Sequence, residues 1–331
     1  MRHLPFRVLL PLAFVLCPLG ACQTEENGVT DEQRLTLHRE FARKYYDAGE
    51  MAQAERQADM GLEIDDKDEG LLLMKGFLRL KAGTRDDIAV AENVFRQLSK
   101  KADYRARLGL AETLERKGLN LVESAEGIEK GTIASESKDP VARCAELRTQ
   151  SKAAWKESRE TYLAVLGERP SQIQAINGLQ RVTALEGDLE GSVTWAEKLL
   201  ELATTEIEFW KTDLARPNLS VIEEGELRKR ISASATLLVE THLTAASALV
   251  KLSRRPEALV HLTKAIEFAP LRSDLYSRRA QLQLDAGYVR EAREDLRQFV
   301  KLSTLELDHP DMRRAYELLA ECDRQLASVG G

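Results

Sequence analysis

The sequence predicts an all-α protein built as a solenoid of helix-turn-helix repeats, and three observations predict it. Gly49, Gly83 and Gly118 recur at intervals of 34 and 35, and the steps from Ser253 to Gly287 and from Ala258 to Ala292 repeat the 34. A period of that length is one helical hairpin per repeat, too short to bury its own apolar face without a neighbour. Apolar residues between these marks follow helical spacing, and the chain is rich in Ala, Leu, Glu and Arg. Of its 331 residues 43% are hydrophobic, enough for a sizeable core, and only 5% are aromatic, which disfavours a β-sandwich. The formal charge of −6 is well mixed, with no polybasic run, so no nucleic-acid partner is expected.

The first element is an address. Arg2, His3 and Arg7 precede an apolar stretch from Val8 to Leu16, and small residues lead to Cys22. The stretch falls short of the about 20 residues of a membrane span, and Pro11 and Pro18 interrupt it, so residues 1–21 read as a cleaved signal peptide. Leu19-Gly20-Ala21-Cys22 resembles the lipobox of bacterial lipoproteins. That resemblance implies acylation (palmitate) of Cys22 as the first mature residue, and Gln23 in place of an aspartate implies the outer membrane, facing the periplasm. Residues 22–30 form a polar tether. Loss of Arg2 and Arg7 with the signal takes the net charge from −6 to −8. Cys144 and Cys322 lie far apart inside helical patterns and read as small buried hydrophobes.

Residues 31–327 carry the repeats, at about 35–68, 69–102, 103–170, 173–206, 239–272 and 273–306, closed by a capping helix at 310–327. The fullest unit places Tyr276, Ala280, Gly287, Tyr288, Ala292, Leu296, Phe299 and Val300 in succession; Phe41, Ala42, Tyr45, Gly49, Ala54, Ala58 and Leu62 fill the same places in the first. This pattern resembles the tetratricopeptide repeat (TPR). The resemblance implies a right-handed superhelix in which a small residue on each helix allows close packing and glycine opens the turn. Ser253 replaces that glycine in one unit, and between Gly83 and Ala91 the pattern needs about three extra residues at the turn. Helix starts are expected where capping boxes fall: Thr30 with Gln33, Ser171 with Gln174, and Ser220 with Glu223. Pro140 and Pro310 suit first-turn positions.

Two segments exceed the period. Residues 119–150 interrupt the third repeat while keeping helical spacing through Leu114, Leu121 and Ile128 and then Val141, Cys144, Leu147 and Ala154. A lengthened hairpin with a polar tip at 131–138 is expected. A second runs past Leu202 through Ile207 and Trp210 to Leu214, turns at Pro217-Asn218 and returns at Ser220. Because successive turns of such an array alternate edges, the two should protrude on opposite sides.

The sequence lacks the minimum parts of the common chemistries. His3, His38, His242, His261 and His309 form no HExxH spacing, and there is no CxxC, no phosphate loop and no GxSxG elbow. No catalytic residue, metal, cofactor or small-molecule substrate is expected. His38 and His242 share a packing position of their repeats; Trp155 and Trp195 read as core residues, and Trp210 as core or exposed contact. In TPR arrays the first helix of each pair lines the inner surface. By that resemblance Arg39, Arg43, Tyr46, Asn177, Arg181, Ser247, Lys251, Ser277 and Gln281 form a polar, partly basic groove suited to a protein partner's carboxylates and backbone. The expected function is that of a membrane-anchored adaptor mediating protein-protein interactions in the cell envelope, bound to protein through the groove and to the membrane through Cys22. Two alternatives stay open: an enzyme or envelope-polymer-binding subunit using 119–150, or a self-associating structural lipoprotein.

Overall fold

The computed structural model describes residues 30–101 and 103–329; the signal and Cys22 lie outside the described residues. Those residues form thirteen helices and no strand: α1 (Asp31–Asp47), α2 (Met51–Ile64), α3 (Glu69–Ala82), α4 (Arg85–Ser99), α5 (Tyr104–Glu129), α6 (Pro140–Glu168), α7 (Ile173–Glu186), α8 (Leu189–Leu214), α9 (Val221–Lys251), α10 (Arg255–Phe268), α11 (Ser273–Asp285), α12 (Val289–Leu302) and α13 (Pro310–Val329). Each packs against the next in the chain. The architecture is a TPR-like α-solenoid with two lengthened hairpins.

Local chemistry sets the boundaries. Thr30 and Ser220 close capping boxes with Gln33 and Glu223, and Asp139 caps the helix that Pro140 opens. The third expected box does not form: Gln172, not Ser171, is the N-cap of α7, and no side chain caps it. The α7–α8 turn depends on Gly187 at φ 88°, a left-handed conformation that costs glycine nothing. Ser253 holds the equivalent turn at φ 62° despite its side chain. The turn after α3 corrects an expectation, since only Gly83 and Thr84 separate it from α4. The three extra residues lie within α4, where they add most of a helical turn ahead of Ala91.

Close packing replaces a single large core. Ala42, Ala54 and Ala58 are fully buried between α1 and α2. The Phe95 ring on α4 occupies a slot that Gly76 and Gly109 leave open: a Cβ at either would lie 2.8 and 2.4 Å from it. Gly118 follows the same logic and corrects the reading of it as a turn residue. It sits within α5, and a Cβ there would meet Trp155 Nε1 at 2.2 Å. Cys144 and Cys322 are buried free thiols.

The lengthened pairs are α5 with α6, at 26 and 29 residues, and α8 with α9, at 26 and 31. Ordinary repeat helices here run to about 14, so each long pair projects by about 18 Å at 1.5 Å per residue. The first projects from a turn inside a repeat and the second from a turn between repeats, which puts them on opposite edges. Ala125, Cys144 and Leu147 pack the first; Ala203, Ile207 and Leu238 pack the second. By length and composition α9 could cross a membrane, but 56% of its apolar window is buried against neighbouring helices.

Candidate partner-binding groove

Curvature identifies the inner face. First helices touch first helices along the stack, α1 with α3, α3 with α5, α5 with α7 and α7 with α9, whereas second helices make no comparable contact with one another among the described residues. A stack bent this way brings together the elements on its concave side. A cavity of about 480 Å³ opens there, lined by Tyr46, Phe77, Leu80, Lys81, Glu112, Glu115, Arg116, Leu119 and Arg181.

Four helices supply this lining and a single ion pair organises its floor. Arg181 on α7 reaches back to α5, with Nε donating to Glu115 Oε1 at 2.7 Å and Nη2 to Oε2 at 2.8 Å. Tyr162 donates from α6 to the same carboxylate at 3.2 Å. Burial disfavours the Arg181 charge, but the Glu115 carboxylate more than offsets this and holds the guanidinium above its ordinary pKa. Burial, with Glu115 nearby, raises the Tyr162 phenol well above its usual range. Glu112 reaches solvent yet is ringed by protein: desolvation raises its pKa, Arg181 pulls it back and Glu115 adds to it. Tyr46 is likewise raised by burial and then by Glu112.

Lys81 and Arg116 complete the electrostatics. Lys81 Nζ lies 5.5 Å from the centroid of the Tyr46 ring, and neither cation makes an ion pair among the described residues. With Phe77, Leu80 and Leu119 around them, they form a half-apolar concave wall with a surplus of positive charge. Such a wall can take an extended segment carrying a carboxylate beside an apolar side chain.

Of the nine residues expected on the inner face, the cavity unites Tyr46 and Arg181. Arg39 turns aside to Asp68, a buried carboxylate that also caps α3. Arg43 is exposed and pairs weakly with Asp47 at 3.8 Å. Asn177 and Ser277 are half-buried; Ser247, Lys251 and Gln281 are exposed further along the stack, with Ser247 bonded to its own helix and Gln281 to Asp285. Phe77, Leu80, Glu112 and Glu115 were missed although the signal existed. They stand six and three residues before Gly83 and Gly118, as Arg43 and Tyr46 stand before Gly49.

The histidines lie elsewhere. His38 Nδ1 contacts Gln57 Oε1 at 2.8 Å, and His242 and His261 bring their Nδ1 atoms within 2.9 Å between α9 and α10. Among the described residues no group of three or more His, Cys, Asp or Glu side chains is placed to hold a metal ion. Trp155 is buried; Trp195 is half-buried in the core around Tyr162; Trp210 is half-buried, edge-on to Phe209 and under Arg230.

No family model matches the chain, and no curated protein matches it. Solved structures are similar to it. A thermophilic TPR protein of Thermus thermophilus aligns at 16% identity over 77% of this chain and 100% of its own, with a TM-score of 0.44. A tetratricopeptide repeat protein from Parabacteroides merdae ATCC 43184 aligns at 11% identity over 87% and 99%, with a TM-score of 0.38. The TPR2AB domain of yeast Sti1 in its pHSP90 complex aligns at 17% over 88% and 99%, with a TM-score of 0.31.

Proposed function

We propose that this chain is a non-enzymatic adaptor, tethered to a bacterial membrane on its periplasmic face, whose inner groove holds an extended, carboxylate-bearing segment of a protein partner. The observation that carries this reading is the cavity between α1, α3, α5 and α7. Its internal charges Arg181 and Glu115 satisfy each other, while Lys81 and Arg116 outnumber the remaining carboxylate, Glu112, and face a ligand beside an apolar wall. The lipobox at Leu19 to Cys22 supports the membrane tether, and Gln23 supports the outer membrane. Several acyl chains at about 0.8 kcal/mol per buried methylene hold a protein at a membrane permanently.

Mild crosslinking in the native cell, followed by purification of the tagged chain, should recover a partner in near-equal amount. Lys81→Glu with Arg116→Glu should cut that recovery about tenfold or more, through opposed charge in the groove. These positions serve better than Arg39 and Arg181, whose reversal would strand Asp68 and Glu115. Undiminished recovery would move the site to the protruding hairpins. Cys22→Ala should abolish fatty-acid labelling and release the chain from the membrane fraction; retained labelling would end the lipobox reading.

A further inference from the structure

Among the described residues, the outer face of α1 at the N-terminal end of the stack has no helix over it. Leu37 on α1 is 44% exposed and Phe41, one turn on, 41%. Twelve residues before the turn, the position of Leu37 is occupied in α3, α7, α9 and α11 by Leu71, Ala175, Thr241 and Leu275, none more than 1% exposed. Those four are covered by the preceding repeat, and Leu71 packs so tightly on α2 that a Cβ on Gly61 would meet it at 2.3 Å. At the other end α13 turns Arg314, Glu317, Glu321 and Arg324 outward in ion pairs. One end therefore carries charge around the half-exposed Tyr316, and the other is, among the described residues, an uncovered version of a surface the molecule buries repeatedly.

The bare face is self-complementary. Two concavities flank Leu37: one of about 520 Å³ carries Glu32, Gln33, Thr36 and Glu40, and one of about 230 Å³ carries Arg34, His38, Phe41 and Tyr45 with Gln57 of α2. One flank is acidic, the other basic and aromatic. Arg34, which also pairs with Asp31 on its own exposed helix face, and Glu40 stand three residues before and after Leu37, so a two-fold axis through Leu37 lays Arg34 of one helix over Glu40 of an antiparallel copy, twice. The same rotation sets Phe41 of each copy over Gln33 and the acidic flank's hollow.

We propose that the α1 face pairs with a second copy of this chain, antiparallel and two-fold about Leu37, giving a closed head-to-head dimer. The C-terminal cap blocks head-to-tail growth, so pairing stops at two. One helix face is small against the about 1,600 Å² of a standard interface, so the pair is weak, and a shared membrane raises its effective concentration.

The test is site-directed disulfide formation in the full chain in its native membranes. Leu37→Cys sits on the two-fold axis, and mild oxidation should give a species of twice the mass on a non-reducing gel. The unsubstituted chain and Arg43→Cys, exposed on the groove side, should not. Adding Arg34→Glu should lower the yield several-fold, and adding Glu40→Arg as well should restore it. No Leu37→Cys product, an equal product from Arg43→Cys, or failure of the double exchange to restore pairing would each overturn the proposal. Protection of the Leu37→Cys thiol from a small alkylating reagent that persists when Arg34→Glu is added would overturn it too, by assigning the face to another occupant.

Discussion

Arg181 and Glu115 lie 66 residues apart in sequence and meet in a two-pronged ion pair, Nε to Oε1 at 2.7 Å and Nη2 to Oε2 at 2.8 Å. The pair ties α7 to α5 across the insertion that divides the third repeat. Glu115 is buried and Arg181 about one third exposed, so the pair sits between the surface and interior regimes. Glu115→Ala should destabilise by about 2 kcal/mol, less than a fully buried pair because solvent screens the guanidinium. Replacing both residues with Met should cost less than Glu115→Ala alone, since no charge is left unpaired. Urea midpoints for the three variants check this, and equal losses in all would contradict it.

Acid should loosen the α9–α10 pair. Burial is the largest cause that depresses His242, to about 4, with His261 next and Lys264 adding to it against the opposing Glu267. His261 is also lowered, by burial, against the pull of Glu197 and Glu257. An unfolded histidine titrates near 6.5, so the unfolded chain binds more protons between that value and 4. Stability is fully present above about 6.5 and declines toward pH 4, by on the order of 3 kcal/mol for His242. His242→Leu should flatten that slope of melting temperature against pH; an unchanged slope would assign the decline to other groups.

The same substitution should act with opposite signs at two glycines. Gly118→Ala drives a methyl into Trp155 and disturbs its Nε1 hydrogen bond to the Glu115 carbonyl, for a loss of about 1–3 kcal/mol and a shift in tryptophan emission. Gly225 lies in α9 with nothing within 4 Å of its would-be Cβ. Gly225→Ala should stabilise by about 0.5–1 kcal/mol, measurable by thermal melting.

Ser253 occupies a turn in a conformation that costs an L-residue roughly 1–2 kcal/mol. Ser253→Gly should therefore raise the urea midpoint, and Ser253→Val should lower it.

The fold was largely legible because the spacing of small residues and turns is imposed by helix packing, which operates within each repeat. Both long hairpins were legible for the same reason: their apolar spacing continues that of the helices they extend. What the sequence obscured were contacts between repeats. Gly118 carries the spacing of a turn residue, but the lengthened α5 runs through it and its missing side chain admits Trp155. Arg39 has the place of a groove residue, yet Asp68, the N-cap of α3, claims it. Glu112 and Glu115 belong to the interrupted repeat, where the insertion masks the register, although the same count places them beside Tyr46 and Arg181.

Helix α9 begins at the exposed tip of the second protrusion, at Val221, and ends within the stack at Lys251. Its 31 residues make a rod of about 46 Å, packed on α7, α8 and α10 with most of its buried residues in the C-terminal half. Mechanically that is a cantilever: the root is held inside the stack and the Val221 end stands free of it. A partner that grips the tip therefore bears on the α7, α8 and α10 layers that hold the root.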